Sequence, residues 1–139
     1  MKQECVFCKI VRGEEPAFVV VEEGRCMAFL SKKMSVRGHT IIIPKQHFED
    51  IYAIPKESLA AVMSMAKRLS HHFVSTIKAT GVNILHASGK SAQQSIFHFH
   101  LHLLPRFNKD RIDTWPDLPG CQESCSDLLK LLKVGDDGS

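Results

Sequence analysis

Hydrophobic and polar positions change period several times along the chain, and each change marks an element. Cys5 to Arg12 mixes apolar and polar residues and stops at Gly13-Glu14-Glu15-Pro16, which predicts a short helix or irregular arm followed by a turn. Phe18-Val19-Val20-Val21 predicts a strand, Glu22-Glu23-Gly24 its turn, and Cys26 to Leu30 a second strand. Ser35-Val36-Arg37-Gly38 closes a loop before a third strand, His39 to Pro44, whose Ile41-Ile42-Ile43 run implies burial on both faces. After Pro55 the period shifts to three and four: Leu59, Val62, Met63, Ala66, Leu69, Phe73 and Ile77 form the stripe of a long amphipathic helix, with Thr80-Gly81 as its stop. Val82 to His86 predicts a fourth strand, Ser88 to Gln94 a loop and Ser95 to Leu104 a fifth strand. Ser124 to Val134 suits a short helix, and Gly135 to Ser139 a frayed end. Strands grouped around one long helix favour an α+β domain over an alternating parallel fold.

Composition narrows the class. A chain of 139 residues with 44% hydrophobic and 24% charged content is long enough for one domain with a real core. A net charge of +3, with lysine and arginine scattered, argues against a nucleic-acid surface but suits a small anionic ligand. The opening Met1-Lys2-Gln3-Glu4-Cys5 begins no long apolar run, so neither a signal peptide nor a membrane partner is expected, and a cytoplasmic location is. Five cysteines, an odd number, point to reduced thiols or metal ligation rather than a disulfide framework.

The fifth predicted strand carries the candidate chemistry. His98-Phe99-His100-Leu101-His102 alternates imidazole with apolar side chains. On an extended backbone the three rings therefore share one side, while Phe97, Phe99, Leu101 and Leu103 face a core on the other. Three histidines so placed either bind a catalytic metal, leaving one coordination position for water, or perform nucleophilic and acid–base chemistry near neutral pH. The preceding loop, Gly89 to Ser95, offers backbone N–H groups and hydroxyls suited to phosphoryl oxygens, which favours phosphorus chemistry. Near the start, Cys5-Val6-Phe7-Cys8 is compatible with a zinc site needing two further ligands, with packed free thiols, or with a redox pair.

Taken together, His98-Phe99-His100-Leu101-His102-Leu103-Leu104 and Gly38-His39-Thr40-Ile41-Ile42-Ile43-Pro44-Lys45-Gln46-His47, in this order and with the long helix between, resemble the two signature stretches of the histidine-triad (HIT) superfamily of nucleotide hydrolases and transferases. The likeness spans about residues 5–107, leaving 108–139 as a C-terminal extension of a single domain. It implies an α+β, HIT-like fold: a five-stranded antiparallel sheet, one long helix and short terminal helices. It implies that His100 attacks the α-phosphorus of a nucleotide to form a nucleotidyl-histidine, that His102 and His39 support it, and that Ser95 assists the leaving group. Val6, Phe7, Ile10, Phe29 and Ile41 would form an apolar slot for the base, Ser31 would meet the ribose, and backbone N–H groups around Gln93 and Ser95, with Gln94, would hold phosphate. The same resemblance makes Cys5, Cys8, His47 and His98 the ligands of a structural Zn2+, with no cofactor needed in the chemical step, and implies a two-fold homodimer with one continuous sheet.

Four positions depart from the family pattern. Ser31 and Lys32 stand where an acidic residue and an apolar one are common, Ala87 replaces an Asn or Gln upstream of the loop, and Gln93 replaces a glycine. These changes leave His39, His100 and His102 intact and fall on substrate grip, so altered nucleoside selection and poor use of ordinary adenosine substrates are expected. The leading expectation is hydrolysis of a phosphoramidate or phosphoanhydride bond. Its alternatives are nucleotidyl transfer through the same intermediate, a nucleotide-binding module with little turnover, and a metal-dependent hydrolase using His98, His100 and His102 as ligands.

Overall fold

A computed structural model of the chain describes residues 4–135. Its elements are α1 (Val6–Val11), β1 (Val19–Glu23), β2 (Cys26–Leu30), β3 (Thr40–Pro44), α2 (Lys56–Ile77), β4 (Gly81–Leu85), β5 (Leu101–Arg106) and α3 (Cys125–Leu132), with a 3₁₀ turn at Lys90–Ala92. The strands form one antiparallel sheet in the order β1-β2-β3-β5-β4. This is the expected α+β architecture with one long helix and short terminal helices.

The sheet is sandwiched unequally. On one face, Cys26, Ala28, Ile42, Leu101 and Leu103 meet the stripe Val62, Met65, Ala66, Leu69 and Phe73 of α2. Spacings of three and four along α2 put those side chains on one line, and each large aliphatic buried there stabilises the fold by about 1.5–3 kcal/mol. On the other face the short α1 lays Phe7 and Ile10 over Met27, Phe29, Ile41 and Ile43. The Ile41-Ile42-Ile43 run is therefore buried from both sides, as its composition predicts.

The ends of elements depart from expectation in informative ways. The long helix does not stop at Thr80-Gly81. It ends at Lys78, whose φ of 64° places a non-glycine residue in the left-handed cap, and Gly81 instead opens β4. The fifth strand begins at Leu101 rather than Ser95, and residues 95–100 lie outside the ladder, with bends at 96–98. The Phe99 N–H donates to the Phe48 carbonyl at 2.6 Å, outside the sheet, so this stretch is held by the 45–50 loop. Phe97, expected in the core, is 41% exposed for the same reason. The terminal helix forms with Ser124 capping the Asp127 N–H, but none of its residues is buried. The frayed end predicted for 135–139 lies, past Gly135, outside the described residues.

Arg106 closes β5. Its Nε and Nη2 donate to the two Asp110 carboxylate oxygens, both at 2.8 Å, and its Nη1 to Asn83 Oδ1 at 2.8 Å. That fork ties the end of β5 to β4 and to the first turn of the extension, and holds the Asp110 carboxyl well below the usual carboxylate range. Among the described residues no helix is long and apolar enough to cross a membrane.

Candidate active site and metal centre

The alternation of the histidine segment survives although its first half is not strand. Phe99, Leu101 and Leu103 point to the α2 side, and the three imidazoles to the α1 side. There the rings part company, joining two clusters with Phe7 lying against both: its ring is 5.8 Å from His98 and 5.2 Å from His100, edge-on to each.

His98 joins the first cluster, which unites the four sequence-predicted metal ligands. His98 Nδ1 lies 3.4 Å from Cys5 Sγ, 3.6 Å from Cys8 Sγ and 3.2 Å from His47 Nδ1, and Cys8 Sγ lies 3.4 Å from His47 Nδ1. All four ligand atoms fall within 4.8 Å of one another. A tetrahedron built with Zn–S of about 2.3 Å and Zn–N of about 2.0 Å has S–N edges of roughly 3.5 Å and N–N edges of roughly 3.3 Å. The observed separations match those edges. Tautomer agrees as well: His98 Nε2–H donates to the Pro44 carbonyl at 2.8 Å, which leaves Nδ1 as a lone pair facing the thiols. Burial pushes the His98 pKa down to about 4, so the ring is neutral and able to ligate. Burial, then the bond to Cys5, pushes the Cys8 thiol up to about 11, a protonated state that a bound cation would reverse. The Cys5 sulfur also caps α1 by accepting the Cys8 N–H at 3.5 Å. The residues present fit a cation of zinc type.

His39, His100 and His102 form the second cluster, and its hydrogen bonds dictate protonation one ring at a time. The Ser35 backbone N–H donates to His39 Nδ1 at 3.1 Å, so neutral His39 carries its proton on Nε2. That Nε2–H donates to His102 Nδ1 at 2.9 Å, which leaves His102 with an Nε2–H. His100 Nδ1–H donates to the His98 carbonyl at 2.8 Å, so its Nε2 keeps the lone pair. The result is one imidazole with a free nucleophilic nitrogen beside another with a free donor, ring centroids 4.9 Å apart. Burial lowers the pKa of all three, that of His102 to about 4, and so keeps the cluster neutral at physiological pH. His39 is delivered by Gly38, where φ is +83° and an added Cβ would press to 3.1 Å from Pro105 Cγ.

A cavity of about 330 Å³ opens next to this cluster. It brings together the predicted slot residues Val6, Phe7, Ile10, Phe29 and Ile41, with Ser31 at the rim. Ile41 pairs with Phe29 on one side and with His102 on the other, so the slot and the reactive histidines share an edge. Sequence reasoning missed Glu15, Ala17 and Ile96, which also line the slot, and the Ser35 N–H and Pro44 carbonyl, whose roles depend on backbone and leave no mark in residue type. It also missed His86, which stacks on Phe99 and lies 2.9 Å from the His100 carbonyl through Nδ1. A histidine directly after a strand paired with the triad was the available signal. A larger groove of about 660 Å³ lies on the far side, between α2 and β4, away from the triad.

The loop residues fare differently. Gln94 is buried, with its Nε2 donating to the Glu49 and Ile96 carbonyls and its Oε1 accepting the Gly89 N–H, so its side chain braces the loop. The N–H groups of Gln93 and Gln94 donate to the Lys90 and Gly89 carbonyls, which engages two donors expected at the phosphate. Gln93 itself is exposed and adopts the left-handed conformation, φ 72°, that the replaced glycine would favour. Ser95, just before the bend at 96–98, is exposed.

Comparison with known proteins agrees with this geometry. The HIT domain family model matches residues 12–109. The chain is 38% identical over 130 residues to adenosine 5′-monophosphoramidase HNT1 of Saccharomyces cerevisiae, covering 92% of this chain and 77% of that protein. A HIT family protein from Bacillus anthracis superposes with a TM-score of 0.83 at 30% identity, covering 94% of both chains. A Zn-bound histidine triad family protein from Mycobacterium smegmatis gives 0.77 at 36% identity, over 82% of this chain and 83% of that one. With its triad, its preceding signature and its fold all accounted for, the chain belongs to the HIT domain family.

Proposed function

We propose that this protein is a nucleotide hydrolase that cleaves a phosphoramidate or phosphoanhydride bond at the α-phosphate through a nucleotidyl-His100 intermediate. One observation carries the reading: His100 keeps an unprotonated Nε2 because its Nδ1–H is committed to the His98 carbonyl, beside a slot sized for a base. With the base between Phe29 and Ile41, the α-phosphorus lies against His100. Nε2 forms a bond to phosphorus as the P–N or P–O bond to the leaving group breaks, and charge builds on the phosphoryl oxygens. The His102 Nε2–H, oriented through His39 and Ser35, stabilises that charge as a preset donor. The Ser95 hydroxyl would assist the leaving group. Water then displaces His100 from phosphorus, releasing the nucleoside monophosphate and restoring the neutral ring. Dividing the displacement into two steps lowers each barrier. The activity named for the yeast relative supports this class.

Cys5, Cys8, His47 and His98 would hold a structural Zn2+ that anchors α1 and the approach to β5, and the named zinc-bound relative supports this. The three triad imidazoles do not converge on one point, which disfavours their joint service as ligands of a catalytic metal. A homodimer is supported by the unpaired edge of β4, where Ile84 is 42% and Leu85 38% exposed beside the apolar groove of α2. Incubation with an adenosine 5′-phosphoramidate, followed by mass spectrometry, tests the reading. A nucleotidyl adduct on His100 that disappears in His100→Asn is the expected result. Turnover persisting in that variant would overturn it.

A further inference from the structure

The rim of the base slot has a charge that free sugar hydroxyls do not call for. A nucleotide with its base against Phe29 and Ile41 and its phosphorus at His100 must pass its sugar by Ser31. This residue stands two positions after Phe29, just past the end of β2, and its N–H donates to the His39 carbonyl at 3.0 Å. Sugar hydroxyls are donors, best met by a free carboxylate acceptor. Here the Ser31 hydroxyl donates to the Lys33 carbonyl at 3.3 Å, and the two residues that follow Ser31 on the cavity wall are Lys32 and Lys33. Glu15, the carboxylate on that wall, sits 3.3 Å from Lys32 Nζ and is already paired. Two ammonium groups and one engaged carboxylate leave a positive excess beside the sugar position.

Resting on the nucleotide reading above, we propose that the substrate is a nucleotide whose ribose carries a phosphate monoester in addition to the phosphorus attacked by His100. A sugar phosphate brings a charge of about −1.5 to −2 and three acceptor oxygens to this rim. Lys32 has three donors and can serve Glu15 and a phosphate together, while Lys33 supplies a second cation. No new bond chemistry is required: the sugar phosphate is a recognition handle and leaves unchanged with the product.

The test compares adenosine 5′-phosphoramidate with its 2′- and 3′-phosphorylated forms, by kcat/KM and by the mass of the His100 adduct. A sugar-phosphorylated substrate should be preferred by roughly tenfold at low salt, as partly exposed charge-assisted contacts allow, with the preference shrinking as salt rises. The adduct should carry the extra phosphate. Lys32→Met with Lys33→Met should bring the ratio close to one, and Ser31→Asp should invert it by supplying an acceptor for free hydroxyls. Equal or better use of the unphosphorylated substrate by the wild-type chain, with adduct formed, would overturn the proposal and leave the hydrolase reading standing. So would a preference that survives both lysine substitutions, or lysine variants that slow only substrates with polyphosphate leaving groups. Absence of adduct and turnover with every substrate would instead bring down the reading on which the proposal rests.

Discussion

His98 and His100 are two residues apart, share one side of the chain and touch the same phenylalanine, yet they hold opposite tautomers. His98 gives its Nε2–H to the Pro44 carbonyl and turns Nδ1 to the cysteines, whereas His100 gives its Nδ1–H to the His98 carbonyl and keeps Nε2 as its lone pair. The difference does not lie in residue type or in burial, since both rings are buried. It lies in which ring nitrogen finds a backbone carbonyl. One carbonyl per ring is enough to leave Nδ1 as the free lone pair on one histidine and Nε2 on its neighbour.

The largest effect that would break this contrast is on chemistry. His100→Asn should lower phosphoramidate turnover by at least about 10³-fold, as loss of an attacking group does, while bound zinc and melting temperature stay near wild type. Parallel assays of turnover and metal content check both halves, and equal loss of metal would deny the division of labour. Next in size, His39→Asn removes the ring that sets the His102 proton. Turnover should fall about 10- to 100-fold, the range for a supporting partner, with the nucleotidyl adduct still detectable.

Cys5→Ser with Cys8→Ser addresses the other side of the comparison. Metal content measured by elemental analysis should vanish and the melting temperature should drop by roughly 5–10 °C, while turnover by the folded fraction changes far less than in the His100 variant. A chelator should act like these substitutions, on stability rather than on the chemical step.

The histidines also predict a pH dependence. His102 is held neutral, its pKa lowered from an ordinary value near 6.5 to about 4, and His39 is shifted the same way. Between those values the unfolded chain binds the proton that the folded ring refuses, so stability is full above about 6.5 and is lost as pH falls toward 4. Thermal melts across that window should show the decline, and His102→Gln should lessen it, the other buried histidines keeping the remainder. The smallest effect concerns the loop: Gln93→Gly should raise stability by under about 1 kcal/mol, because the position already has φ 72°.

Much of this was legible from side-chain period alone. The stripe Val62, Ala66, Leu69, Phe73 placed α2, and the alternation through Leu103 sorted the imidazoles from the core residues, because both depend only on helix and strand geometry. The four metal-ligand positions came from resemblance, and the geometry unites them. What stayed hidden depends on tertiary hydrogen bonding. The Phe99 N–H leaves the sheet for the Phe48 carbonyl, which ends the ladder early and exposes Phe97, and no local pattern announces that partner. Lys78 ends the helix in a conformation that glycine usually supplies, so Gly81, three residues further on, is not the stop that its residue type suggests. The engagement of Gln94 with Glu49 and Gly89 likewise depends on a contact distant in the chain.

Phe7 has a consequence beyond lining the slot. Its ring lies edge-on to both the His98 and the His100 imidazoles and presents hydrocarbon to each. Hydrocarbon carries no proton wire, so neither imidazole can pass a proton through side chains or solvent on that side. Trimming this ring to alanine would bare both imidazoles to water where they now meet only carbon.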